Sequence, residues 1–313
     1  MQKHHLITGL IIKLAFFVSQ VQATPLVIAS IKPLYNLTAA ISEGVFTPVL
    51  LVEDNVSEHD FQLKPSQIAQ INKADLIFWV GPELETALTK PLQNIRASKA
   101  NRMIALPGIK LLANRNLHSY EATHEIDHPE SAHEHTHEEH HQHEHGLYDP
   151  HIWLSTQNAT IMINHITNKL IILDPANKKT YENNLEKFIT RLKQHTTIWD
   201  EQLQSLQTLP IIVMHDAYQY FNKLNIVGTI VVDHDLPSSI KHIRQIKQVL
   251  IEQNVKCICS EPQLNAMIVK TLTEDHKIKH VVIDPLGNDC DLGPDGYIQL
   301  IDKLANSFSS CKA

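Results

Sequence analysis

The chain has 313 residues, 43% of them hydrophobic and 19% charged, which is enough for two globular units with their own cores. Its formal net charge is −7 with histidine neutral, and the basic residues are scattered, so no stripe offers a nucleic-acid backbone an electrostatic footprint. Nucleic-acid partners are excluded on that ground, and the 21 histidines become the feature to explain.

The first residues read Met-Gln-Lys-His-His, followed by an apolar run over 6–18 broken only by Thr8, Gly9 and Lys13, then small residues at Val21 and Ala23. A positive start, a short apolar core and small residues predict a secretory signal over 1–23, cleaved after Ala23. The run is too short and interrupted for a comfortable membrane span, although an uncleaved anchor is the competing reading. No cysteine follows the cleavage point, so no lipid anchor is indicated. The expected mature chain is soluble, starts near Thr24 and lies outside the cytoplasm. Cys257, Cys259, Cys290 and Cys311 suit such an oxidising compartment, where four cysteines allow three full pairings. Cys257 and Cys259 fall on a predicted strand, where i and i+2 share a face.

From there, short apolar runs at 26–31, 48–52, 76–80 and 103–106 predict buried parallel strands. Helical patterns at 35–42 and 65–73 alternate with them, the second with Ser66 placed to cap it. Residues 113–148 lose all apolar periodicity and become His, Glu and Asp, a composition expected to be disordered because it cannot bury a core. Order is expected to return at Asp149, with a helix after Ser155. Tyr181, Leu185, Phe188, Leu192, Trp199, Leu203 and Leu206, with His195 in the same row, then recur every three or four residues, which predicts one helix over 175–207 about 50 Å long. Two helices broken near Thr196 and Thr197 are the alternative. Strands at 211–214, 227–232, 257–260 and 281–283, with helices at 238–253 and around Met267, make a second unit. The pattern predicts an α/β protein of two Rossmann-like lobes with parallel sheets, joined by a long rigid helix: an N-terminal lobe over 24–173, a linking helix over 174–207 and a C-terminal lobe over 208–313. In such open sheets ligands bind beyond the carboxyl ends of the strands, here in the cleft between lobes.

Metal-capable side chains fall at those ends. Glu58 and His59 follow the second strand, His151 lies in the loop re-entering the fold, and His215 and Asp284 end strands of the second lobe. Three imidazoles with a carboxylate or water match the four-coordinate preference of zinc, whereas more oxygen donors would suit manganese. Within the insertion, His124, His128, His133, His135, His137, His140, His141, His143 and His145 are interleaved with acids, and His-Glu-x-x-His occurs three times. No large apolar residue lies between Ala132 and Gly146 to build such a helix into a core, so a peptidase site is not expected there. Unperturbed imidazoles on a flexible chain instead predict modest affinity and capacity for more than one ion, lost on acidification. A zinc hydrolase using the three strand-end histidines is the competing class, but neither a nucleophile elbow nor a general base placed with a substrate pocket accompanies them. No Walker A loop is present either, so ATP hydrolysis would belong to another subunit.

The neighbours of these residues carry a resemblance. Glu58-His59-Asp60-Phe61 with Leu63-Lys64-Pro65-Ser66, Asp75-Leu76-Ile77-Phe78-Trp79-Val80-Gly81-Pro82-Glu83, Pro150-His151-Ile152-Trp153-Leu154-Ser155, His215-Asp216-Ala217-Tyr218, Ser260-Glu261-Pro262-Gln263 and Asp284-Pro285-Leu286-Gly287 follow in order along the mature chain. The set resembles the periplasmic zinc-binding proteins of bacterial zinc-uptake ABC transporters. The resemblance implies zinc ligation by His59, His151 and His215, with Glu58, water or Asp284 in the fourth position. It also implies a Cys257–Cys311 disulfide, a monomer in the periplasm, and delivery of zinc to a membrane permease served by a separate ATPase. Cys259 and Cys290 have no place in that pattern, and a second disulfide between them is a further expectation. The His-rich insertion is expected to act as an accessory zinc-capture segment.

Overall fold

Two buried apolar strands and two half-buried ones beside them build the first sheet, and the same plan is then repeated. The computed structural model describes residues 24–53, 56–59, 61–115, 147–231, 240–262, 267–273 and 278–312. The predicted signal over 1–23 and all nine histidines from His124 to His145 lie outside the described residues. In the first lobe, β1 (Val27–Ala29), β2 (Val49–Leu50), β3 (Leu76–Trp79) and β4 (Ala100–Arg102) form a parallel sheet of order β2-β1-β3-β4. In the second, β5 (Pro210–Val213), β6 (Asn225–Thr229), β7 (Cys257–Ser260) and β8 (Lys279–Val282) repeat it as β6-β5-β7-β8. The two sheets are parallel, as the aliphatic runs predict.

Helices α1 (Lys32–Ser42), α2 (Pro65–Lys73), α3 (Thr86–Gln93), α4 (Thr156–Leu173), α5 (Lys178–Gln204), α6 (Ile240–Glu252), α7 (Met267–Thr273) and α8 (Gly296–Ser310) complete the chain. Helix α1 is buried along its whole length, because it is packed among α4, α5 and α8. Gly296 opens α8 where a Cβ would come within 2.4 Å of Asn36 Nδ2 on α1, so only glycine permits that approach. The long helix α5 follows a single 3-10 turn at Pro175–Asn177 and runs unbroken through Thr196 and Thr197, about 40 Å at 1.5 Å per residue. Tyr181, Phe188, Leu192, Trp199 and Leu203 form its buried stripe, which packs on α1 and α4 of one lobe and α8 of the other. Polar side chains fix its place. Asn184 Nδ2 donates to the Ile41 and Glu43 carbonyls at 2.9 and 3.0 Å, satisfying the end of α1, and Trp199 Nε1 donates to Asp302 Oδ1 at 2.6 Å. One apolar core therefore extends through both lobes, which suits a rigid connection rather than a wide hinge.

Alternation along the second sheet separates two cores. Ile211 and Val213 face the shared core, whereas Ile212 and Met214 face a smaller one beneath α6 and α7. Cys257 and Cys259 both face the shared core, and Cys257 is joined by a disulfide to Cys311 at the end of α8. Cys259 and Cys290 are free buried thiols, so the second disulfide does not form.

Several boundaries differ from the sequence reading. The expected strand at 103–106 is a 3-10 turn, Met103–Ala105, and β4 lies just before it. Met103 and Ile104 are buried by that turn, with the Ile104 amide donating to the Val80 carbonyl, so the apolar signal marked burial rather than pairing. Ser66 does not cap α2. Lys64 precedes its first residue, and Gln67 Oε1 accepts from the Lys64 amide at 2.7 Å.

Candidate metal centre

Each candidate ligand reaches the cleft from the carboxyl end of a strand or the loop beside it. His59 and Glu58 come from the loop after β2, His215 stands two residues beyond β5, and His151 begins the 3-10 turn Ile152–Leu154 before α4. One ligand atom from each of Glu58, His59, His151 and His215 lies within 4.8 Å of all the others. Asp284 is not in that cluster. Its Oδ1 and Oδ2 accept from the amides of Leu286 and Asn288 at 3.0 and 2.7 Å, which builds the turn after β8.

The separations suit a small tetrahedral ion. His151 Nε2 and His215 Nε2 are 3.3 Å apart. Two zinc–nitrogen bonds of about 2.0–2.1 Å at a tetrahedral angle hold their nitrogens about 3.3 Å apart. Glu58 Oε1 sits 3.8 Å from His151 Nε2 and 3.9 Å from His59 Nε2, buried and without a hydrogen-bond partner among the described residues. A buried carboxylate oxygen in that state calls for a cation.

Behind the imidazoles, two acids that the sequence reading did not assign fix their orientation. Asp149 Oδ1 accepts from both Nδ1 and the backbone amide of His151, at 2.8 and 2.9 Å. Glu261, just beyond β7, places Oε1 2.8 Å from His215 Nδ1 and also accepts from the Tyr218 hydroxyl at 3.2 Å. With the neutral-ring proton held on Nδ1, each Nε2 lone pair points into the cluster, the arrangement a metal-ligating histidine needs. A ligand histidine requires an acceptor behind it, and acids stand two residues before His151 and one beyond β7, but the sequence does not say which acid serves which ring.

The electrostatics favour positive charge. Burial alone lowers the His215 pKa, but the charge and hydrogen bond of Glu261 outweigh it and hold that imidazole at about 9. Burial pushes the Glu58 carboxyl up, opposed by the positive charges of His215 and His151. Three buried acids, Glu58 at the cluster and Asp149 and Glu261 behind its imidazoles, thus lie around the site, and a dication offsets their repulsion. Replacing Glu261 by alanine is expected to weaken zinc binding about 10–100-fold, and by glutamine less, because an amide oxygen still accepts from Nδ1. Chelator-competition titration measures this; an alanine variant within twofold of the parent would remove the role given to Glu261.

A further buried acid lies at the matching end of the first sheet. Glu85 accepts from the Ser30 hydroxyl and, at 2.9 Å, from the Gly81 amide, and burial raises its pKa from 4.5 to about 7. A raised carboxyl pKa contributes stability that is full below about 4.5 and lost as pH climbs through about 7, on the order of 3 kcal/mol in all. Glu85→Gln is expected to flatten that loss. Relative to the parent, the variant should gain stability between pH 5 and pH 8 in urea unfolding with chelator present; an unchanged difference would contradict it.

Similarities to known proteins agree with this geometry. Residues 27–311 match the family described as zinc-uptake complex component A, periplasmic. The high-affinity zinc uptake system protein ZnuA of Yersinia pestis is 32% identical over 296 residues, spanning 92% of each chain. The protein of the same name from Brucella abortus (strain 2308) is 35% identical over 305 residues, spanning 91% of each. The solved structure of the periplasmic zinc-binding protein TroA from Treponema pallidum shares the fold at a TM-score of 0.74 and 16% identity, over 93% of this chain and 99% of that one.

Two like α/β lobes on a rigid helix, with a nitrogen-rich cluster between them, define a metal-binding component of an uptake system. The hydrolase reading falls away with that class, since such a component binds and releases its cargo unchanged. The chain belongs to the periplasmic zinc-uptake complex component A family.

Proposed function

We propose that this chain captures Zn(II) in the periplasm with His59, His151, His215 and Glu58, and delivers it to a membrane permease driven by a separate ATPase subunit. The observation that carries the reading is the convergence of three imidazoles and an unpartnered buried carboxylate oxygen within 4.8 Å. Three nitrogens and one oxygen favour zinc over manganese or iron, which prefer more oxygen. The His59 side chain is 19% exposed against 5% for His151 and 7% for His215, so an ion meets His59 first and the buried pair second. Release reverses that order, with small shifts of the loop after β2 rather than a swing of whole lobes. Residues 1–23 act as the cleaved signal, and the mature chain works as a monomer.

The His-rich segment is proposed as an accessory that gathers zinc near the cleft. Its described ends support that place. Ala113 bridges to Tyr148, and Arg115 forms a two-point ion pair with Asp216, next to His215, at 2.7 and 2.5 Å. The test compares zinc titrations of the mature chain, a deletion of 118–146 and a His59→Ala/His215→Ala double variant. The deletion is expected to keep one tight site and lose the weaker ions, and the double variant to keep only weak ones; loss of tight binding in the deletion would move the principal site into the insertion.

A further inference from the structure

The sulfur chemistry of the second lobe is not accounted for by one disulfide. Cys257 and Cys259 are i and i+2 on β7, fully buried on the same face of a strand flanked on both sides by β5 and β8. Cys311 ends α8, two residues before the end of the chain. Its Sγ is bonded to Cys257 and lies 3.9 Å from the Sγ of Cys259, and the three sulfurs are all within 4.8 Å of one another. The strand cysteines are fixed by pairing on both edges, whereas Cys311 caps the last turn of α8, and helix ends are where fraying is easiest. A shift of roughly 2 Å by that turn brings Cys311 to bonding distance of the second strand thiol.

We propose that Cys259 is an alternative disulfide partner of Cys311, so that the cross-link can pass between two positions of β7. In the exchange, the Cys259 thiolate attacks Sγ of Cys311. The Cys311–Cys257 bond breaks, its electron pair leaves on Cys257, and Cys257 takes up the proton that Cys259 gave. One disulfide is lost and one is formed, with no net oxidation. Burial, and then the nearby charge of Glu261, push the Cys259 thiol far above its ordinary value, so the packed chain holds the bond in place. Exchange belongs to states in which the end of α8 has opened, and the new cross-link lies two residues from Glu261, the residue that orients His215.

Cys257→Ser in the full, secreted chain tests the proposal. Alkylation without reduction, followed by peptide mapping, is expected to find Cys259 linked to Cys311 and Cys290 as the single alkylated thiol. Alkylation of both Cys259 and Cys311 in the folded variant would overturn it. Because that variant could fail to accumulate, the parent chain supplies a second arm: it is held in mild denaturant at pH 9, quenched with acid and alkylated. Fragmentation between Cys257 and Cys259 is expected to resolve two populations, one with each strand cysteine alkylated. Recovery of the Cys257–Cys311 form alone, or of links to Cys290, would refute the exchange.

Discussion

His151→Ala is expected to abolish tight zinc binding while leaving the chain folded. A structural zinc site contributes about 10–16 kcal/mol over its ligands, so losing one of four imidazole or carboxylate bonds removes on the order of 3–4 kcal/mol, or about 10²–10³ in affinity. The residue is buried and its ring is held by Asp149, which fixes the orientation of Nε2 toward the cluster. The fold should tolerate the change because Asp149 Oδ1 still accepts from the residue 151 backbone amide at 2.9 Å. Chelator competition together with a thermal melt in chelator measures both parts. Parent-like affinity, or a collapse of the zinc-free chain, would contradict the placement of His151 as a ligand on a preformed scaffold.

Trp153→Ala is expected to destabilise the zinc-free chain by about 3–5 kcal/mol, the range for deleting a fully buried tryptophan. Trp153 is 0% exposed and ties the lobes together. Its Nε1 donates to the Pro285 carbonyl at 2.8 Å, and its own carbonyl accepts from the Tyr297 hydroxyl at 2.7 Å. The indole also packs 5.2 Å from the His151 ring, centre to centre, so zinc affinity should fall with stability. Urea unfolding gives the first effect and competition titration the second. A loss below about 1 kcal/mol would mean that the two lobes hold together without this contact.

Where one residue type served one purpose, the sequence was readable. Runs such as Leu-Ile-Phe-Trp at 76–79 are buried on both faces, so composition alone marked β3, and the stripe from Tyr181 to Leu203 marked α5. Helix α3 escaped because Pro91 interrupts its interior and its pattern is short. Helix α8, whose apolar row runs from Tyr297 to Phe308, is not among the helices expected from the sequence. At the site, position at strand ends and the resemblance together nominated the histidines. What could not be read was which acid does what. Glu58, Asp149, Glu261 and Asp284 are alike in sequence, and only folding shows one carboxylate facing the cluster, two behind imidazoles and one closing a backbone turn.

Zinc is proposed to sit among Glu58, His59, His151 and His215. Anomalous diffraction at the zinc edge, from crystals of the mature chain with one equivalent of zinc, tests it most directly. One strong peak is expected about 2.0–2.2 Å from a nitrogen of each histidine and from a Glu58 oxygen, with Asp284 still closing its turn. A principal peak elsewhere, or one held by Asp284 in place of Glu58, would contradict it.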